Sequence, residues 1–470
     1  MSSSPPTEKR VRASQILRIR KIWLIPLVIT AVFVAVMTAI YIGSVINPTG
    51  HLHGLPVIVV NEDAGASVQG KKIDIGSEIV GALEGSSAVA HRLKLTNAPL
   101  ARARAVMNRA DAYATLVIPA TLSRSVLLST GTGTKQAGVP SPPSITLLEN
   151  TRMGTLGVSL AAGVLTPAIA KISPQIGAKL RPLATPPAAS NPVMSAQLSD
   201  PVALTTSIYR PLPDHTALGL SAFYISLLTI IAGFFGATLI NASIDSALGY
   251  GPTELGPRWL LRRPVNIDRR HTMIVKACAT VVATPAVTGV LLLVAVAALN
   301  MNAPHVLLLW GLTALAFLMI AVGTLALFAA FGSIGQLLAL ILFVYLSLAS
   351  SGGTIPIEAL PGIFAVAAHV EPLRQLLVGA RAILYFGAHG DAGLTHSLIV
   401  LGCELAFWAL IAVAVTSWYD HRRLYRIAPE LFAIVTRAID DVTQEQAASV
   451  PAPATAETTA GAELDTADEP

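Results

Sequence analysis

Long apolar runs and one extended polar region divide the chain. The first apolar run covers residues 22–45 and follows a basic segment, 1–21. It is longer than the apolar core of a signal peptide, about 7–15 residues, and lacks a clear cleavage site, so it predicts an uncleaved transmembrane helix. Five more spans are predicted within residues 217–419. Their approximate bounds are 217–240, 273–299, 305–330, 333–351 and 396–419.

The basic residues predict how these spans are oriented. Arginines lie between the second and third spans and after the sixth, whereas the connection 300–304 contains neither lysine nor arginine. Positive residues concentrate in short cytoplasmic loops, so both termini of this multi-pass plasma-membrane protein are predicted to be cytoplasmic. Residues 46–216 then lie outside, and long translocated domains are exempt from the charge rule.

Residues 46–216 predict an extracytoplasmic α/β domain. Short apolar or alternating runs bounded by Pro, Asn and Gly predict strands, and helical patterns separate them. The strands are expected at 57–60, 92–95, 115–118 and 145–148, and the helices at about 74–84, 99–109 and 120–129. Apolar residues at helical spacing over 156–180 predict an amphipathic stalk. Residues 182–215, rich in Pro, Ser and Ala, predict an irregular return to the membrane.

Three segments border the last span. Residues 352–395 begin with glycines and carry interleaved prolines and apolar residues, which predicts an outer hairpin of short re-entrant or interfacial helices. Residues 420–443 have amphipathic helical spacing and are expected to lie on the membrane or on a partner. Residues 444–470 are rich in Ala, Thr, Glu and Asp, with almost no large apolar side chains, and are predicted to be disordered.

Composition narrows the class of protein. Of the 470 residues, 53% are hydrophobic and 13% are charged, whereas soluble domains have about a quarter of their residues charged. This excludes a cytosolic enzyme, a disordered chain and an ordinary nucleic-acid binder, and it makes membrane lipids the expected surroundings. The net charge of +5 reflects the arginines of the inner face, partly offset by the acidic tail. Cys278 and Cys403 lie inside apolar runs, so buried thiols without a disulfide framework are expected.

The sequence contains little that points to catalysis or to a metal. Residues 65–71 match the pattern GxxxxGK, but Lys72 stands where a P-loop has the Ser or Thr that binds magnesium. His51 and His53 alternate near the membrane, and two imidazoles without a third ligand are more typical of a solvated linker than of a metal site. The chain is therefore predicted not to be an enzyme, and to bind no metal or cofactor itself.

Glu404 is an acidic residue within the sixth predicted span. A carboxylate at the centre of a bilayer costs about 2.5–3.5 kcal/mol on insertion scales, so such a group is usually paired or faces a cavity. Glu404 is interpreted either as a group on a substrate or proton path, or as a structural hydrogen-bonding group between helices.

The inner loop 241–272 contains more glycine and proline than a simple tether needs. Its central residues are Glu254, Gly256, Pro257, Arg258 and Trp259. They are interpreted as part of a docking surface built from short helical pieces. The alternative is a positive-inside loop that contacts anionic lipid.

The order of these parts is that of a known group of proteins. The stretches that carry the likeness are Pro56-Val-Ile-Val-Val-Asn61-Glu62-Asp63-Ala-Gly65, Ile73-Asp-Ile-Gly76, Ala112-Tyr113-Ala-Thr-Leu-Val-Ile118-Pro119, Ser351-Gly352-Gly353-Thr354-Ile355-Pro356, Leu360-Pro361 and the segment from Arg374 to Arg381. Over residues 20–420 the chain resembles the type-2 ABC exporter permeases. More closely it resembles the YhgE/Pip (phage infection protein) group and its actinobacterial relatives of unknown function.

The resemblance implies an α-helical membrane protein with six spans and an α/β domain between the first two. It implies a homo- or heterodimer of permeases and a separate ABC ATPase docked on a coupling helix within 241–272, so that ATP acts only through that partner. The hairpin 355–381 would close an outer gate. The gate residues are Gly352, Gly353, Pro356, Glu358 and Pro361.

Two functions are therefore expected. The first is export of a hydrophobic or amphipathic compound (a drug, a lipid or an envelope precursor), entering near the second, fifth and sixth spans. The second is a non-transporting receptor, or an accessory protein for envelope assembly or type VII-like secretion. Glu404 and the inner loop favour the first function, and the outer domain with its stalk favours the second.

Overall fold

The structure is a computed structural model that describes residues 18–68, 71–128, 130, 143–186, 192–260 and 262–449. It begins with a long apolar helix, α1 (Arg20–Val45), and a single turn, α2 (Pro48–His51). Most of the predicted basic segment and most of the predicted acidic tail lie outside the described residues. The chain then enters an α/β domain and returns to a bundle of apolar helices.

The α/β domain contains all four predicted strands and all three predicted helices. Its elements are β1 (Leu55–Asn61), β2 (Ala66–Val68), β3 (Lys71–Ile73), α3 (Ile75–Gly85), α4 (Ser87–Arg92), β4 (Leu93–Asn97), α5 (Leu100–Asn108), β5 (Ala114–Ile118), α6 (Leu122–Leu128), β6 (Ser144–Glu149), α7 (Thr155–Leu180), α8 (Pro192–Ser199) and β7 (Ala203–Ile208).

Five of these strands form one sheet in the order β4-β1-β5-β6-β7. The strands β4, β1 and β5 are parallel, β6 is antiparallel to β5, and β7 is parallel to β6. Crossover helices cover both faces, which explains why β1 is apolar at every central position: residues 57–60 are all buried. One face packs on α3, α6 and α7, and the other on α5.

The region 182–215 is more regular than predicted. The expectation of an irregular return is wrong for residues 192–208, which form α8 and the edge strand β7. Thr205 and Thr206 favour strand, but β7 is largely exposed and lacks an apolar alternation. Its pairing with β6, and not its own pattern, makes it a strand.

The bundle follows the α/β domain. Its helices are α9 (Ser221–Ala247), α10 (Arg269–Leu292), α11 (Val306–Phe331), α12 (Ser333–Ala339), α13 (Ser347–Ser350), α14 (Gly362–Ala367), α15 (Pro372–Tyr385), α16 (Leu394–His421) and α17 (Pro429–Ser449). Two π-helical turns, Leu293–Ala298 and Leu340–Leu346, continue α10 and join α12 to α13. A two-stranded ribbon, β8 (Thr253–Leu255) and β9 (Arg258–Leu260), lies between α9 and α10.

Seven helical segments among the described residues are long and apolar enough to cross a membrane, judged by length and composition. They are Leu24–Val45, Thr155–Leu183, Ser221–Ala247, Arg269–Ala298, Val306–Phe331, Ser333–Ser350 and Leu394–His421. Six overlap the predicted spans. The seventh contains α7, which lies along the sheet of the α/β domain and buries Leu165, Ile169 and Ile176 in its core.

The bundle is built around α11, the most deeply buried of the candidate spans. Close approach between helices depends on glycine at two contacts. A Cβ atom on Gly233 of α9 would lie 2.9 Å from Ile320, and one on Gly323 would lie 2.5 Å from the Phe343 ring. Small residues at such positions allow helices to pack closely where lipid provides no hydrophobic driving force.

The prediction that both cysteine thiols are buried is wrong. Cys278 and Cys403 lie on exposed positions of α10 and α16. The helix α16 is apolar around most of its circumference, so its sequence pattern does not reveal which side faces the bundle. The predicted start of the disordered tail is also wrong by six residues, because α17 continues to Ser449.

One carboxylate ties the loop after β1 to two helices of the α/β domain. Asp63 accepts hydrogen bonds from the backbone N–H groups of Gly65, Gly76 and Ser123, at 3.3, 2.9 and 3.1 Å, and from the Ser123 hydroxyl. Gly76 and Ser123 belong to the first turns of α3 and α6, whose N–H groups have no partner within their own helices.

We predict that Asp63→Ala destabilises the protein by about 2–4 kcal/mol, because it leaves several buried donors unpaired. In thermal unfolding of the purified full chain in detergent, the midpoint should fall by at least about 5 °C. Glu62→Ala is the matched control, since Glu62 is the exposed neighbour. Equal midpoints for the two variants would contradict this role of Asp63.

Candidate functional site

The bundle contains a cavity at the end opposite the α/β domain. We call this end the basic end, after its arginines: Arg262, Arg263, Arg269, Arg270, Arg422, Arg423 and Arg426. The cavity has a volume of about 510 Å³ and is lined by residues of α9, α10, α11, α12 and α16 and of the segment after α16. This volume lies in the range of small-molecule sites, about 300–1,000 Å³.

A network of charged side chains forms one wall of the cavity. Lys276 of α10 donates to the carboxylate of Asp245 and to the side-chain amide oxygen of Asn241, both on α9, each at 2.7 Å. Arg426 donates to both Asp245 oxygens, at 2.7 and 2.8 Å, in the paired geometry that suits a guanidinium and a carboxylate. The network therefore links α9, α10 and the segment after α16.

Two arginines of this wall also stack on aromatic rings. Arg426 lies 4.4 Å from the centroid of Tyr250, and Arg269 lies 5.0 Å from that of Tyr419. Arg269 donates further to the carbonyl oxygens of residues 424 and 425. Asp420 accepts from the first backbone N–H groups of α10, at 3.1 and 2.9 Å, and so caps that helix. Each guanidinium group is therefore held by an aromatic ring against one face and by hydrogen bonds at its edge.

A polar stripe on α10 runs from the cavity toward the α/β domain. Every fourth residue is polar and buried: Thr272, Lys276, Thr280, Thr284 and Thr288. Each threonine hydroxyl donates to the carbonyl oxygen four residues earlier. The opposite side of α10 is apolar and exposed, so this helix places its polar residues inside the bundle.

Glu404 lies on the packed side of α16. It is three residues after buried Leu401 and four before Trp408, which packs against the Phe343 ring at 5.3 Å. Both Glu404 carboxyl oxygens are buried and lack a hydrogen-bond partner among the described residues. Buried groups of this kind are usually hydrogen-bonded, so the exception needs an explanation.

A second buried carboxyl group, Glu371, lies close enough to interact electrostatically with Glu404. Glu371 precedes α15 and is 4% exposed. One of its oxygens accepts from the Ser347 hydroxyl, and the other has no partner among the described residues. Sequence analysis did not single out Glu371, because it lies in a segment that is not itself a span.

The outer hairpin residues lie together where the bundle meets the α/β domain. Gly352 has a φ of +69°, and a Cβ atom on Gly353 would lie 2.2 Å from the Phe223 ring. Arg381 donates to the Gly353 carbonyl oxygen at 3.1 Å. Pro356 and Pro361 precede the short helices Ile357–Ala359 and α14. The segment 352–385 therefore contains short helices, and α15 packs into the bundle without the length needed to cross it.

Glu358 joins this hairpin to the α/β domain. Its backbone carbonyl oxygen accepts from His53 at 2.9 Å. Its side chain lies among Tyr113 of the domain, His53 and Arg374 of α15. Burial is the largest influence on the pKa of Glu358 and raises it above the ordinary value, although Arg374 and His53 oppose the shift. Burial likewise lowers the pKa of the Arg374 guanidinium.

Further polar contacts fasten the domain to the bundle. Arg152 donates to the Tyr385 carbonyl oxygen at 2.6 Å and to that of Pro211 at 2.9 Å. Arg109 forms an ion pair with Asp391 at 3.0 Å. These contacts connect the C-terminal end of α15 and the segment before α16 to the domain, so the hairpin and the domain form one structural unit.

The expectation of helical pieces in the predicted docking loop is wrong. Glu254 and Trp259 are paired across the antiparallel ribbon β8–β9, and Gly256 and Pro257 form its turn. Gly256 has a φ of +58°, which fits the first central position of a two-residue hairpin turn. The helix α9 ends at Ala247 and α10 begins at Arg269. The described residues between these two helices contain no helix that could serve as the predicted coupling helix.

The remaining candidates are a metal site and the GxxxxGK stretch. The described residues contain no group of three His, Cys, Asp or Glu side chains that could hold a metal ion. The described part of the GxxxxGK stretch forms the antiparallel pair β2–β3. A P-loop instead follows a strand and opens a helix around its glycines.

The charged cavity is the site that sequence reasoning missed. Asp245 lies within the predicted inner loop 241–272 but outside its named central residues, and the sequence analysis singles out neither Lys276 nor Arg426. The four-residue spacing around Lys276 is visible in the sequence and could have indicated a polar face on the third predicted span. The partnership with Arg426, which is 181 residues from Asp245, could not be read from local pattern.

Fold and site together define a mostly helical protein of membrane type. Its α/β domain lies between the apolar helix α1 and α9, the first helix of the bundle. The chain belongs to the family described as "Protein of unknown function (DUF3533)", whose model matches residues 26–412. The match takes in most of α1, the α/β domain and the bundle into α16. Comparisons with curated proteins and with solved structures give no match.

We predict that acid strengthens the contact between hairpin and domain. The pKa of Glu358 is raised in the folded state, so its contribution to stability is fully present below about 4.5 and is lost as pH rises through the folded-state value. Between pH 4 and pH 7 the unfolding midpoint of the wild type should fall by several degrees more than that of Glu358→Gln. The control Glu430→Gln, at an exposed residue, should follow the wild type. A pH profile of Glu358→Gln identical to that of the wild type would refute the prediction.

Proposed function

We propose that the chain is the permease subunit of an exporter similar to the type-2 ABC exporters. The observation that carries the proposal is the charged cavity inside a bundle of apolar helices. Charged side chains within candidate spans are costly, and they commonly mark a pathway or a ligand site. The compound exported would be hydrophobic or amphipathic, since the cavity has both polar and apolar walls.

The proposed topology has six spans: α1, α9, α10, α11, the segment Ser333–Ser350 and α16. The helix α7 is assigned to the outer domain because it packs on the sheet. The arginines of the basic end support a cytoplasmic location for that end and for both termini. The plasma membrane is the proposed location, and the YhgE/Pip group the proposed kinship.

The proposed path begins in the cavity at the basic end. It continues along the buried polar stripe of α10 and past Glu404 and Glu371, and it ends beneath the outer hairpin. Three of their four carboxyl oxygens have no hydrogen-bond partner among the described residues, so a polar part of the compound, or a proton, could bind there. The hairpin, fixed to the α/β domain through Glu358, would act as the outer gate.

ATP would be used by a separate ATPase, and the ribbon β8–β9 is the proposed contact, in place of a coupling helix. It projects between α9 and α10, two helices that line the cavity, so movement of the ribbon would be transmitted to both. Pairing with a second permease, identical or related, belongs to the same proposal.

A second candidate function, a receptor or assembly platform without transport, is favoured by the α/β domain. An open groove of about 510 Å³ lies beside the carboxyl ends of β1 and β4, between Asn61, Ser77 and Glu84. Open α/β sheets commonly bind ligands outside the carboxyl ends of their strands.

The proposed ATPase contact predicts a co-purification result. Replacement of residues 253–260 by a Gly-Ser linker should remove an ABC ATPase that co-purifies with the wild-type chain. Deletion of residues 455–470, on the same proposed side of the membrane, is the control and should leave the ATPase bound. Mass spectrometry of the purified complexes measures both. Recovery of secretion components without any ATPase would favour the second function instead.

Glu404 provides a separate prediction for transport. Glu404→Gln should lower efflux of a fluorescent amphiphile, such as labelled phosphatidylglycerol, at least about tenfold toward the level of cells without the protein. Cys403→Ser changes the adjacent exposed residue and should keep wild-type efflux. Immunoblots would confirm equal amounts of protein. Wild-type efflux in Glu404→Gln would remove this residue from the path.

A further inference from the structure

The cavity at the basic end contains more positive than negative charge. Its lining includes three cationic side chains, Arg269, Lys276 and Arg426, and one carboxylate, Asp245. We propose that the cavity binds the anionic head group of an amphiphile, a phosphate, sulfate or carboxylate carried on an apolar chain. The proposal rests on the proposed export function, for which it names the class of compound.

Two of these cationic groups keep hydrogen-bond donors that the described residues do not engage. Lys276 has three N–H donors, and its two contacts with Asp245 and Asn241 leave one. Arg426 has five N–H donors, of which Asp245 engages two. An oxyanion in the cavity could accept from both side chains at once, with charge-assisted hydrogen bonds.

No other carboxylate among the described residues that line the cavity balances this charge. Asp420 lies nearby, but its oxygens accept from the backbone at the start of α10. The exposed arginines of the basic end, Arg270 and Arg423 among them, add positive potential. Lys276 is only 6% exposed, so water compensates its charge weakly, and a bound anion would do so more effectively.

The rest of the lining indicates an apolar chain on the ligand. Met273, Leu325 and Phe328 form an apolar part of the wall. The volume of about 510 Å³ is many times the share of a single water molecule, about 30 Å³, so a lone oxyanion would leave most of the cavity unfilled. A head group on the charged wall with a chain against the apolar wall uses both.

Binding of radiolabelled dodecyl phosphate tests the proposal. The purified full chain is placed in phosphatidylcholine nanodiscs, and binding to empty nanodiscs is subtracted. We expect saturable binding that weakens about tenfold or more in Arg269→Gln and in Lys276→Gln, the size expected for loss of one charge-assisted hydrogen bond. Arg263→Gln, an exposed cation outside the cavity, is the control and should bind within about twofold of the wild type.

Competitors define the ligand class. Unlabelled dodecyl phosphate should displace the probe, whereas zwitterionic dodecyl phosphocholine and inorganic phosphate should require at least about tenfold higher concentrations. Displacement by phosphatidylglycerol in the nanodisc would support the proposal and identify a membrane lipid as the source of the head group. Equal displacement by dodecyl phosphocholine, or by inorganic phosphate, would overturn it.

Two further results would also overturn the proposal: wild-type affinity in both Arg269→Gln and Lys276→Gln, or no saturable binding. If Lys276→Gln unfolds, Arg269→Gln still decides, since Arg269 does not contact Asp245. The binding assay requires neither an ATPase nor turnover. Binding without any export would therefore refute the proposed function alone, and export of compounds without anionic preference would refute this inference alone.

Discussion

The carboxylate of Asp245 holds the basic end of the bundle together. It is the common acceptor for Lys276 and Arg426, and through them it fixes α9, α10 and the segment that follows α16. Removal of one member of such a network leaves an uncompensated charge, which typically costs 3–5 kcal/mol when the pair is buried.

The α/β domain and the outer hairpin form the corresponding unit at the other end. There the fastening is distributed among Arg152, Arg109 and Glu358, each bonded across the boundary between domain and bundle. The outer end is thus held by several separate contacts, whereas at the basic end one carboxylate joins three elements and Arg269 and Asp420 add further contacts.

The elements of the fold were largely predictable, because their signals are local. Apolar runs of sufficient length give the six overlapping spans, and apolar or alternating strands bounded by Pro, Asn and Gly give β1, β4, β5 and β6.

Most of the failures concern information from elsewhere in the chain. The strand β7 is specified by its partner β6, the exposed side of Cys403 by the packing of α16, and the pairing of Asp245 with Arg426 by closure of the whole bundle. Glu404 was recognised because a single carboxyl group in an apolar run is conspicuous, whereas its neighbour Glu371 was not. The ribbon β8–β9 was missed although its Gly256-Pro257 turn is a recognisable local signal.

The way the sheet is inserted into the chain has a mechanical consequence. The strand β1 follows α1 closely and the edge strand β7 leads to α9, with β5 and β6 lying between them in the sheet. Displacement of β1 relative to β7 along the strand direction would shear these ladders lengthwise, and all hydrogen bonds of a ladder would resist at the same time. Separation across the strands, starting at one end, would instead stress the bonds one after another. The sheet therefore couples α1 to α9 more stiffly along the strand direction than across it.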